Sequence, residues 1–551
     1  MISRPSETVK QTAFDSSRTL FVAGLGGSFL TWLAFPPADW SWLAWIAPAF
    51  WLVWVQMPQL PGKHPYRVLW LCGSSFWLLT VHWIRLPHPL NHLAWGVLAS
   101  YLGAYLPLFV ALSRVGVHRF GLPLWLVAPV VWTGLDWLRG HLMTGFGMGS
   151  LAHTQVGFPG LIQIANLVGE YGVTFLIVLV AACLTQCFLS YRSNPARVYL
   201  YYLTPAVIAV AAALFYGAVM FMKHNSLNSR LHDQTKTRIA LIQGNYLAEW
   251  KSDVDKQRQI MDKQLNLSRQ AVRENSDVDL VIWPETSFRQ TLVTLQEGYH
   301  PPANQLHESH LTAARDLLRE FARQLGSSML VGVDRTQIFS AANGDPEAMY
   351  FNSSVLVDHQ GEMHGTYDKM HRVPFGEYIP FDEWFPSLYR LTPLTGGIQA
   401  GAAPSAMRLG GVNYAVNICY ETAVPHLIRR HVVDLSELGH QPDVLVNLTN
   451  DAWYWGSSEL DMHLACGVFR AVEMRTPLVI AANGGLSAHI DSYGEVQQVS
   501  GRQQPQVVLA NVSIRSRRGT HLTLYARWGD WFAGICVICC VLLAVSRRAG
   551  T

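Results

Sequence analysis

The sequence predicts a polytopic α-helical membrane domain joined to a separate α/β domain. Half of the 551 residues are hydrophobic and only 14% are charged, which is too apolar for an ordinary soluble protein of this length. Residues 19–221 form a succession of apolar stretches, whereas residues 222–527 have a globular composition. In the latter segment short β-branched runs alternate with helical patterns, as they do in layered α/β domains.

Eight transmembrane helices are expected. A helix that crosses the hydrocarbon core needs about 20 predominantly apolar residues. Eight such stretches occur, at 19–35, 41–58, 67–86, 93–112, 122–138, 161–189, 198–221 and 528–546. The first seven form the predicted membrane domain at 19–221, after an N-terminal segment at 1–18. The eighth precedes a tail at 547–551. The first stretch lacks a clear small-residue cleavage site, so we interpret it as an anchor and not as a removed signal peptide.

The distribution of Lys and Arg predicts the orientation of these helices. If eight helices cross the membrane, the basic connections all fall on one side: Arg4, Lys10, Arg18, Lys63, Arg67, Arg114, Arg119, Arg192, Arg197, Arg547 and Arg548. The opposite short connections hold little beyond Arg85 and Arg139. Both termini should therefore be cytoplasmic, and the α/β domain should lie on the extracytoplasmic side.

Several ionisable residues lie in or near the apolar stretches, namely His82, Arg85, Asp136, Arg139 and Glu170. Ionisable groups inside a membrane are costly and indicate function, but at the interface they also snorkel or pair structurally. The sequence leaves both interpretations open for Arg139 and Glu170, and it favours the structural one for His82.

Charge and cysteine usage exclude some functions. The net charge of +3 and the lack of a basic, aromatic-interleaved patch argue against nucleic-acid binding. Of the eight cysteines, only Cys419 and Cys466 lie outside the apolar stretches, and neither belongs to a metal-binding pattern. The sequence therefore predicts neither a disulfide framework nor a metal site.

The α/β domain contains seven runs typical of buried strands: RIALIQGN, VDLVIWPET, SSMLVGVDR, YFNSSVLVD, VNYAVNICYE, DVLVNLTND and PLVIAANGG. Between them, HLTAARDLLREFARQLG has one apolar helical face and stops at Gly326. Several predicted strands end in polar residues: Asn245, Glu285, Cys419, Asn450 and Asp451. Because ligands of open α/β sheets gather at the carboxyl ends of strands, Glu285 and Cys419 could share a cleft.

Cys419 is a candidate nucleophile. A thiol with a pKa near ~8.5 is mostly protonated at neutral pH, so a catalytic cysteine needs a base or a cationic neighbour. Glu285 in VIWPETS could take the proton, and Lys369 in YDKMHRVPFGEYIP could stabilise an oxyanion. Taken singly, each has another interpretation. Cys419 could be a core thiol, Glu285 a helix cap and Lys369 a solvated surface charge.

Taken together, four motifs resemble a known superfamily. WPE, YDKMHRVPFGEYIP, ICYE and NLTNDAW occur in the order found in nitrilase-type carbon–nitrogen hydrolases. The chain resembles most a membrane branch of that superfamily, the apolipoprotein N-acyltransferases, and WLRGHLMTGF, VGEYGVTFL and LIQGNYLAEWK also look like that branch. The resemblance covers nearly the whole chain. It implies an αββα sandwich between seven amino-terminal helices and one carboxy-terminal helix.

The resemblance also implies a role for individual residues. Glu285 would be the general base, Lys369 would stabilise the tetrahedral oxyanion, and Cys419 would carry the acyl group as a thioester. Glu377 matches a supporting glutamate near the triad.

Further positions match residues around the site. Tyr420 and Glu421 match residues that shape it, and Trp250 and Trp453 match aromatic positions along the acyl or substrate route. For the two tryptophans, core or interfacial packing is nearly as good an interpretation.

The chain departs from the family pattern at a few places. Ile480 stands where relatives commonly carry Arg, TGFGMGS replaces a segment with Pro and Trp after the Phe, and Trp455 is an extra aromatic residue. These differences concern substrate contacts and leave the three triad positions intact.

The implied activity is a two-step acyl transfer. A membrane phospholipid would donate its acyl chain to Cys419, and the α-amine of a diacylglyceryl-cysteine on an apolipoprotein would accept it. No cofactor is needed, since a thioester is already activated toward an amine. We expect a monomer in the bacterial inner membrane with its catalytic domain on the periplasmic side, and no nucleic-acid partner.

Two alternatives remain open at this point. A membrane-anchored amidase would use the same triad with water as the acceptor, although eight helices are hard to explain for a soluble substrate. A non-catalytic lipid-binding scaffold would tolerate the loss of Cys419. A transporter is less consistent with the sequence, because no paired broken helices suggest a repeat.

Overall fold

The chain divides into two compact units. The structure, a computed structural model, describes residues 16–190, 195–230, 236–249, 253–300, 308–341, 345–382, 384–391, 394, 396–514 and 522–546. One unit comprises Met1–Asn228 and Trp528–Thr551, and the other comprises Ser229–Arg527.

The first unit is helical. Its helices are α1 (Ser17–Leu33), α2 (Ala49–Gln56), α3 (Pro65–Thr80), α4 (Asn91–Gly103), α5 (Tyr105–Arg114), α6 (Leu124–His141), α7 (Pro159–Ile162), α8 (Ala165–Val168), α9 (Glu170–Ser190) and α10 (Pro195–Arg230). The last helix of the chain, α16 (Trp531–Ser546), belongs to the same unit.

Three helical stretches among the described residues are long and apolar enough to cross a membrane, namely Asn91–Arg119, Glu170–Ser190 and Tyr199–His224. Shorter apolar helices cover Ser41–Gln56, Pro159–Val168 and Trp531–Ser546. The unit is therefore that of a membrane protein, while the count of eight spanning helices stays a prediction. The predicted segment 161–189 is interrupted, because Gly169 adopts a φ of 70° between α8 and α9.

The buried charges of this unit are paired. Arg139 contacts Asp136 at 2.5 Å and donates to the carbonyl oxygens of Phe146 and Met148. Glu170 lies 3.1 Å from the ring of His153. A charge removed from water is tolerated when it is paired and hydrogen-bonded. These contacts favour the structural interpretation of Arg139 and Glu170.

The second unit contains two six-stranded sheets. Its strands are β1 (Lys236–Gln243), β2 (Leu280–Leu295), β3 (Ser328–Ser340), β4 (Pro346–Val357), β5 (Met363–Asp368), β6 (Ala406–Leu409), β7 (Val412–Ile418), β8 (Val444–Asn450), β9 (Leu478–Asn483), β10 (Ala488–Ile490), β11 (Val496–Val499) and β12 (Gln506–Ser513). The first sheet has the order β12-β1-β2-β3-β4-β5, and the second has the order β11-β10-β9-β8-β7-β6. β1, β2 and β3 run parallel, as do β7, β8 and β9.

The two sheets pack face to face and helices cover their outer faces. One apolar core joins inward-facing residues of both sheets, such as Leu241, Ile282 and Leu330 of the first and Val416 and Val446 of the second. The covering helices are α11 (Val254–Glu274), α12 (Glu308–Leu325), α13 (Pro425–Glu437) and α14 (Glu459–Met474). A short helix, α15 (Leu524–Trp528), follows β12 in the chain. α11 and α12 pack on the outer face of the first sheet, whereas α13 and α14 contact the second. The layers therefore follow the order α, β, β, α.

The sequence predicted the buried strands and missed the others. All seven predicted runs are confirmed as β1, β2, β3, β4, β7, β8 and β9, and the predicted helix is α12. The strands β5, β6, β10, β11 and β12 were not predicted. Most of these are short, and β11 is exposed along its length, so the apolar signal of a buried strand is weak or absent in them.

The buried ion pair of Arg470 and Glu473 on α14 should contribute strongly to stability. The two side chains are fully buried, and their charged atoms lie 2.9 Å apart. We expect Arg470→Leu to lower the free energy of unfolding by about 3–5 kcal/mol, because it leaves a buried carboxylate uncompensated. Thermal or chemical unfolding of the purified protein in detergent measures this.

The exposed pair of Arg430 and Asp434 on α13 is the matched control. Arg430→Leu should cost at most about 1 kcal/mol, because water already solvates both charges. Equal losses in the two variants would contradict the importance of burial.

Candidate active site

A buried lysine between two glutamates forms the centre of the candidate site. Lys369 is 1% exposed, and its Nζ lies 2.7 Å from Oε1 of Glu377 and 3.4 Å from Oε1 of Glu285. The Nδ2 of Asn352 donates to the same two oxygens, at 2.7 Å for Glu285 and 3.3 Å for Glu377. The cluster connects β2, β4 and the segment that follows β5.

Local backbone features place Glu285 in this cluster. The prediction that Glu285 follows its strand was wrong, since β2 continues to Leu295. The pairing of β2 with β3 is irregular between Trp283 and Phe288, and Glu285 lies in that interruption. On β3, a Cβ at Gly332 would lie 2.4 Å from the carbonyl oxygen of Pro284. Only glycine therefore allows the irregular part of β2 to approach this closely.

Cys419 lies at the first residue after β7. It opens a short 3₁₀ turn, Cys419–Ala423, and has a φ of 54°. A positive φ is uncommon outside glycine and is concentrated at functional sites. Its carbonyl oxygen accepts hydrogen bonds from Nδ2 of Asn447 at 3.1 Å and from the ring of His463 at 3.1 Å. These two contacts hold the backbone of the strained residue.

Burial and the neighbouring Glu285 carboxylate keep the thiol of Cys419 protonated. Burial raises the pKa of Cys419 well above its usual value, and the Glu285 carboxylate adds to this, while Lys369 acts in the opposite direction. Burial also disfavours the Lys369 ammonium, but Glu377 and Glu285 outweigh it and raise the pKa of Lys369 well above its usual value. The resting site therefore holds a thiol beside a charged lysine, and a base must take the thiol proton during reaction.

Glu421 ties the cysteine turn to the lysine segment. Its Oε1 accepts from the backbone N–H groups of Met370 at 2.7 Å and His371 at 2.9 Å. Its Oε2 accepts from the N–H of Ile418 at 2.7 Å, and the Tyr367 hydroxyl donates to the same carboxylate. Met370 follows Lys369 and Ile418 precedes Cys419, so this one side chain sets the spacing of the two candidate catalytic residues.

The remaining residues predicted from the sequence lie in different environments. Tyr420 is half-buried, with its ring centroid 6.0 Å from that of His371. Trp453 is half-buried in the 3₁₀ turn Asp451–Tyr454. Ile480 is buried on β9 and lies against Gly467 of α14, so it is a core residue. Trp250 lies outside the described residues.

Comparisons with known proteins show the family of the chain. The family model "Apolipoprotein N-acyltransferase N-terminal domain" matches residues 27–183, and the model "Carbon-nitrogen hydrolase" matches residues 238–521, more than half of the chain. An apolipoprotein N-acyltransferase of Rhodopirellula baltica is 31% identical over 94% of this chain and 95% of its own length. The chain belongs to the apolipoprotein N-acyltransferase family. The family resemblance predicted from the four motifs is thereby confirmed.

Other similar proteins fall in the same two groups. An apolipoprotein N-acyltransferase of Geobacter metallireducens is 32% identical, and the alignment covers 94% of this chain and 93% of the relative. Among solved structures, an amidase from Nesterenkonia sp. is 17% identical and aligns with 50% of this chain and 90% of that chain, with a TM-score of 0.34.

Two residues around the site, Asn352 and His463, were not predicted from the sequence. Asn352, which joins the two glutamates, was read only as part of a strand. Its polar side chain at an inward-facing position among apolar residues was the available signal. His463 was also missed. It lies 3.3 Å from Asp451, whose carboxylate also accepts from the Thr449 hydroxyl, and no local pattern connects α14 to the turn of Cys419.

The pKa of Glu421 provides a test of its burial. Burial raises this pKa from 4.5 to about 7, against the hydrogen bonds that lower it. Between these values the folded protein holds a proton that the unfolded chain has lost, so the contribution of Glu421 to stability falls as the pH rises from 4.5 through 7. The wild type should therefore lose stability relative to Glu421→Gln between pH 5 and pH 8, by at most about 3 kcal/mol in the free energy of unfolding. Melting temperatures of the two proteins across this pH range measure the loss.

Glu437→Gln, at an exposed position on α13, is the control and should show no such trend. A difference between the wild type and Glu421→Gln that grows with pH would show that the site prefers the ionised carboxylate.

Proposed function

We propose that this chain transfers an acyl group from a membrane phospholipid to the N-terminal amine of S-diacylglyceryl-cysteine on apolipoproteins. The observation that supports this most strongly is that one chain carries both family domains, at 27–183 and 238–521. Its relatives bear the name apolipoprotein N-acyltransferase. An amidase activity would account for the second domain but would leave the first without a role. A non-catalytic scaffold would have no need of a charged lysine beside a thiol.

In the first step Glu285 takes the proton of the Cys419 thiol, and Sγ attacks the ester carbonyl of the phospholipid. The ammonium of Lys369 stabilises the oxyanion of the tetrahedral intermediate. The ester C–O bond then breaks, and Glu285 returns the proton to the leaving oxygen of the lysophospholipid. The raised pKa of the thiol explains why a base adjacent to it is needed.

In the second step the amine of the acceptor attacks the thioester. The C–S bond breaks, its electron pair stays on Sγ, and a proton from the amine passes through Glu285 to restore the thiol. Lys369 stabilises the second oxyanion as it did the first. Such a cycle is a ping-pong reaction that needs no cofactor, and it requires that water stay away from the thioester.

The membrane arrangement is part of the proposal. We infer eight transmembrane helices, with the seven-helix domain at 19–221, the catalytic domain at 222–527 and the last helix at 528–546. Both termini, 1–18 and 547–551, are cytoplasmic, and the catalytic domain is periplasmic in the bacterial inner membrane. Because donor and acceptor both reside in the bilayer, anchoring the enzyme there raises their effective concentration at the site. We propose that the enzyme acts as a monomer.

Intact-protein mass spectrometry tests the chemistry. After incubation with a defined phospholipid the wild type should gain the mass of one acyl chain, because Cys419 retains it as a thioester. Hydroxylamine should remove this mass, and a diacylated lipopeptide with a free amine should discharge it. Cys419→Ala should stay unmodified.

Cys466→Ala is the control, since Cys466 is buried on α14 and outside the candidate site. It should be acylated like the wild type. Acylation of Cys419→Ala, or no acylation of the wild type with several phospholipids, would refute the thioester mechanism.

Reporter fusions test the orientation. A fluorescent protein fused after residue 551 should fluoresce, because that domain folds in the cytoplasm, and alkaline phosphatase at the same point should be inactive. Alkaline phosphatase inserted after residue 410, in the glycine turn between β6 and β7, should be active. The reverse pattern would show that the orientation is inverted.

A further inference from the structure

One carboxylate beside the candidate triad forms no hydrogen bond or ion pair with the residues that the structure describes. Asp334 lies on β3, and its side chain is solvent-exposed. None of the hydrogen bonds or ion pairs among the described residues involves it. Asp334 nevertheless lies within the electrostatic influence of the site, because the charges of Arg289, Glu285 and Glu377 all act on its ionisation.

The strand register explains this position. Asp334 is directly opposite Asn352 in the antiparallel pair of β3 and β4. Residues opposite each other share a sheet face and have Cβ atoms about 4.5–5.5 Å apart. On the other side, Phe288 of β2 pairs with Val333 of β3, and the register then shifts before Leu292 pairs with Arg335. Arg289 lies in this shifted part of β2, and its charge acts on Asp334. Asp334 therefore lies between a positive residue and the amide that links the two glutamates.

Asn352 contributes a second acceptor without a donor. Its Nδ2 faces Glu285 and Glu377, and this fixes the orientation of the amide because carboxylates only accept. The Oδ1 therefore faces away from these carboxylates. It is buried, and no donor reaches it among the described residues. Buried acceptors in folded proteins nearly always have a donor, so this oxygen can accept a hydrogen bond from a bound molecule.

The local charges indicate which ligand fits. Glu285, Glu377 and Asp334 carry three negative charges, whereas Lys369 and Arg289 carry two positive ones. Arg289 lies over the ring of Tyr246, at 5.5 Å from its centroid, and forms no ion pair with Asp334. One positive charge with several N–H donors would balance the group. A primary ammonium has both properties.

We propose that Asp334 and the side-chain carbonyl of Asn352 form a subsite for the primary ammonium group of a substrate. The inference rests on the proposed acyl transfer and specifies where the amine is held. Two substrates of that reaction can carry such a group, the acceptor with its α-amine and a phospholipid donor with an amine in its head group.

For the acceptor, the subsite also supplies a proton acceptor. An ammonium cannot attack a thioester until it loses a proton. An Asp334 carboxylate in contact with the ammonium can accept that proton. Asp334 takes the first proton and releases it to solvent, and the second passes through Glu285 to Sγ as the C–N bond forms and the C–S bond breaks.

Equilibrium binding tests the subsite without turnover. In full-length Cys419→Ala, we expect a diacylated lipopeptide with a free α-amine to bind about fivefold more tightly than its N-acetylated form, as for a moderate ion pair. Adding Asp334→Asn should remove that preference. Phosphatidylethanolamine and phosphatidylglycerol form the second pair of ligands, because only the former has an amine in its head group.

The two ligand pairs distinguish the sources. A preference that depends on Asp334 and appears only with the lipopeptides assigns the ammonium to the acceptor. A preference that depends on Asp334 and appears only with the phospholipids assigns the ammonium to the donor. If neither pair shows a preference, or if Asp334→Asn leaves it intact, the subsite does not exist. Failure of the proposed function is a separate result, since it appears as a wild type that forms no thioester.

Kinetics provide a readout that a structural role would not change. At pH 7, Asp334→Asn should slow discharge of the thioester by the lipopeptide by about tenfold or more. The loss should shrink toward pH 9, where the amine is deprotonated in solution. Glu347→Gln, which removes an exposed carboxylate from the same β3–β4 ribbon, should match the wild type at both pH values. A loss that does not depend on pH would argue against proton transfer to Asp334.

Discussion

The interaction on which the catalytic unit depends is the burial of Lys369 between two glutamates. An ammonium removed from water is strongly disfavoured unless opposite charges and hydrogen bonds replace its hydration. Glu285 and Glu377 supply those charges from two different segments of the chain, and Asn352 bridges them. The cluster can form only when β2, β4 and the segment after β5 are correctly assembled. Fold and site are therefore specified by the same contacts.

A second constraint is the placement of the nucleophile. Cys419 has a positive φ at the end of β7, and a residue in that conformation persists only when its neighbours hold it. His463 and Asn447 bind its carbonyl oxygen, and Glu421 binds the N–H before it. The same glutamate binds the N–H groups after Lys369. Hydrogen bonds from three buried side chains to the backbone thus position the thiol relative to the lysine.

Sequence patterns predicted the buried elements well. β-branched apolar runs indicated seven strands because each of them is covered on both faces, and the apolar periodicity of α12 indicated its buried stripe. Exposed or very short strands such as β11 carry no such pattern. The position of Glu285 was predicted at a strand end, whereas it lies in an interruption within β2 that depends on Gly332 of the neighbouring strand. The residue pattern of one strand contains no information about the conformation of the neighbouring strand.

The sequence alone determined the division into a membrane part and an α/β part, the strands of the sandwich, the types of residue available for chemistry, and the family. These depend on composition and on short, local patterns. Only the tertiary structure decided that Asn352 joins the two glutamates, that Glu421 links two distant turns, and that Asp334 lies beside the site. Such contacts join residues far apart in sequence, and their energies depend on distances and burial that exist only once both sheets have packed.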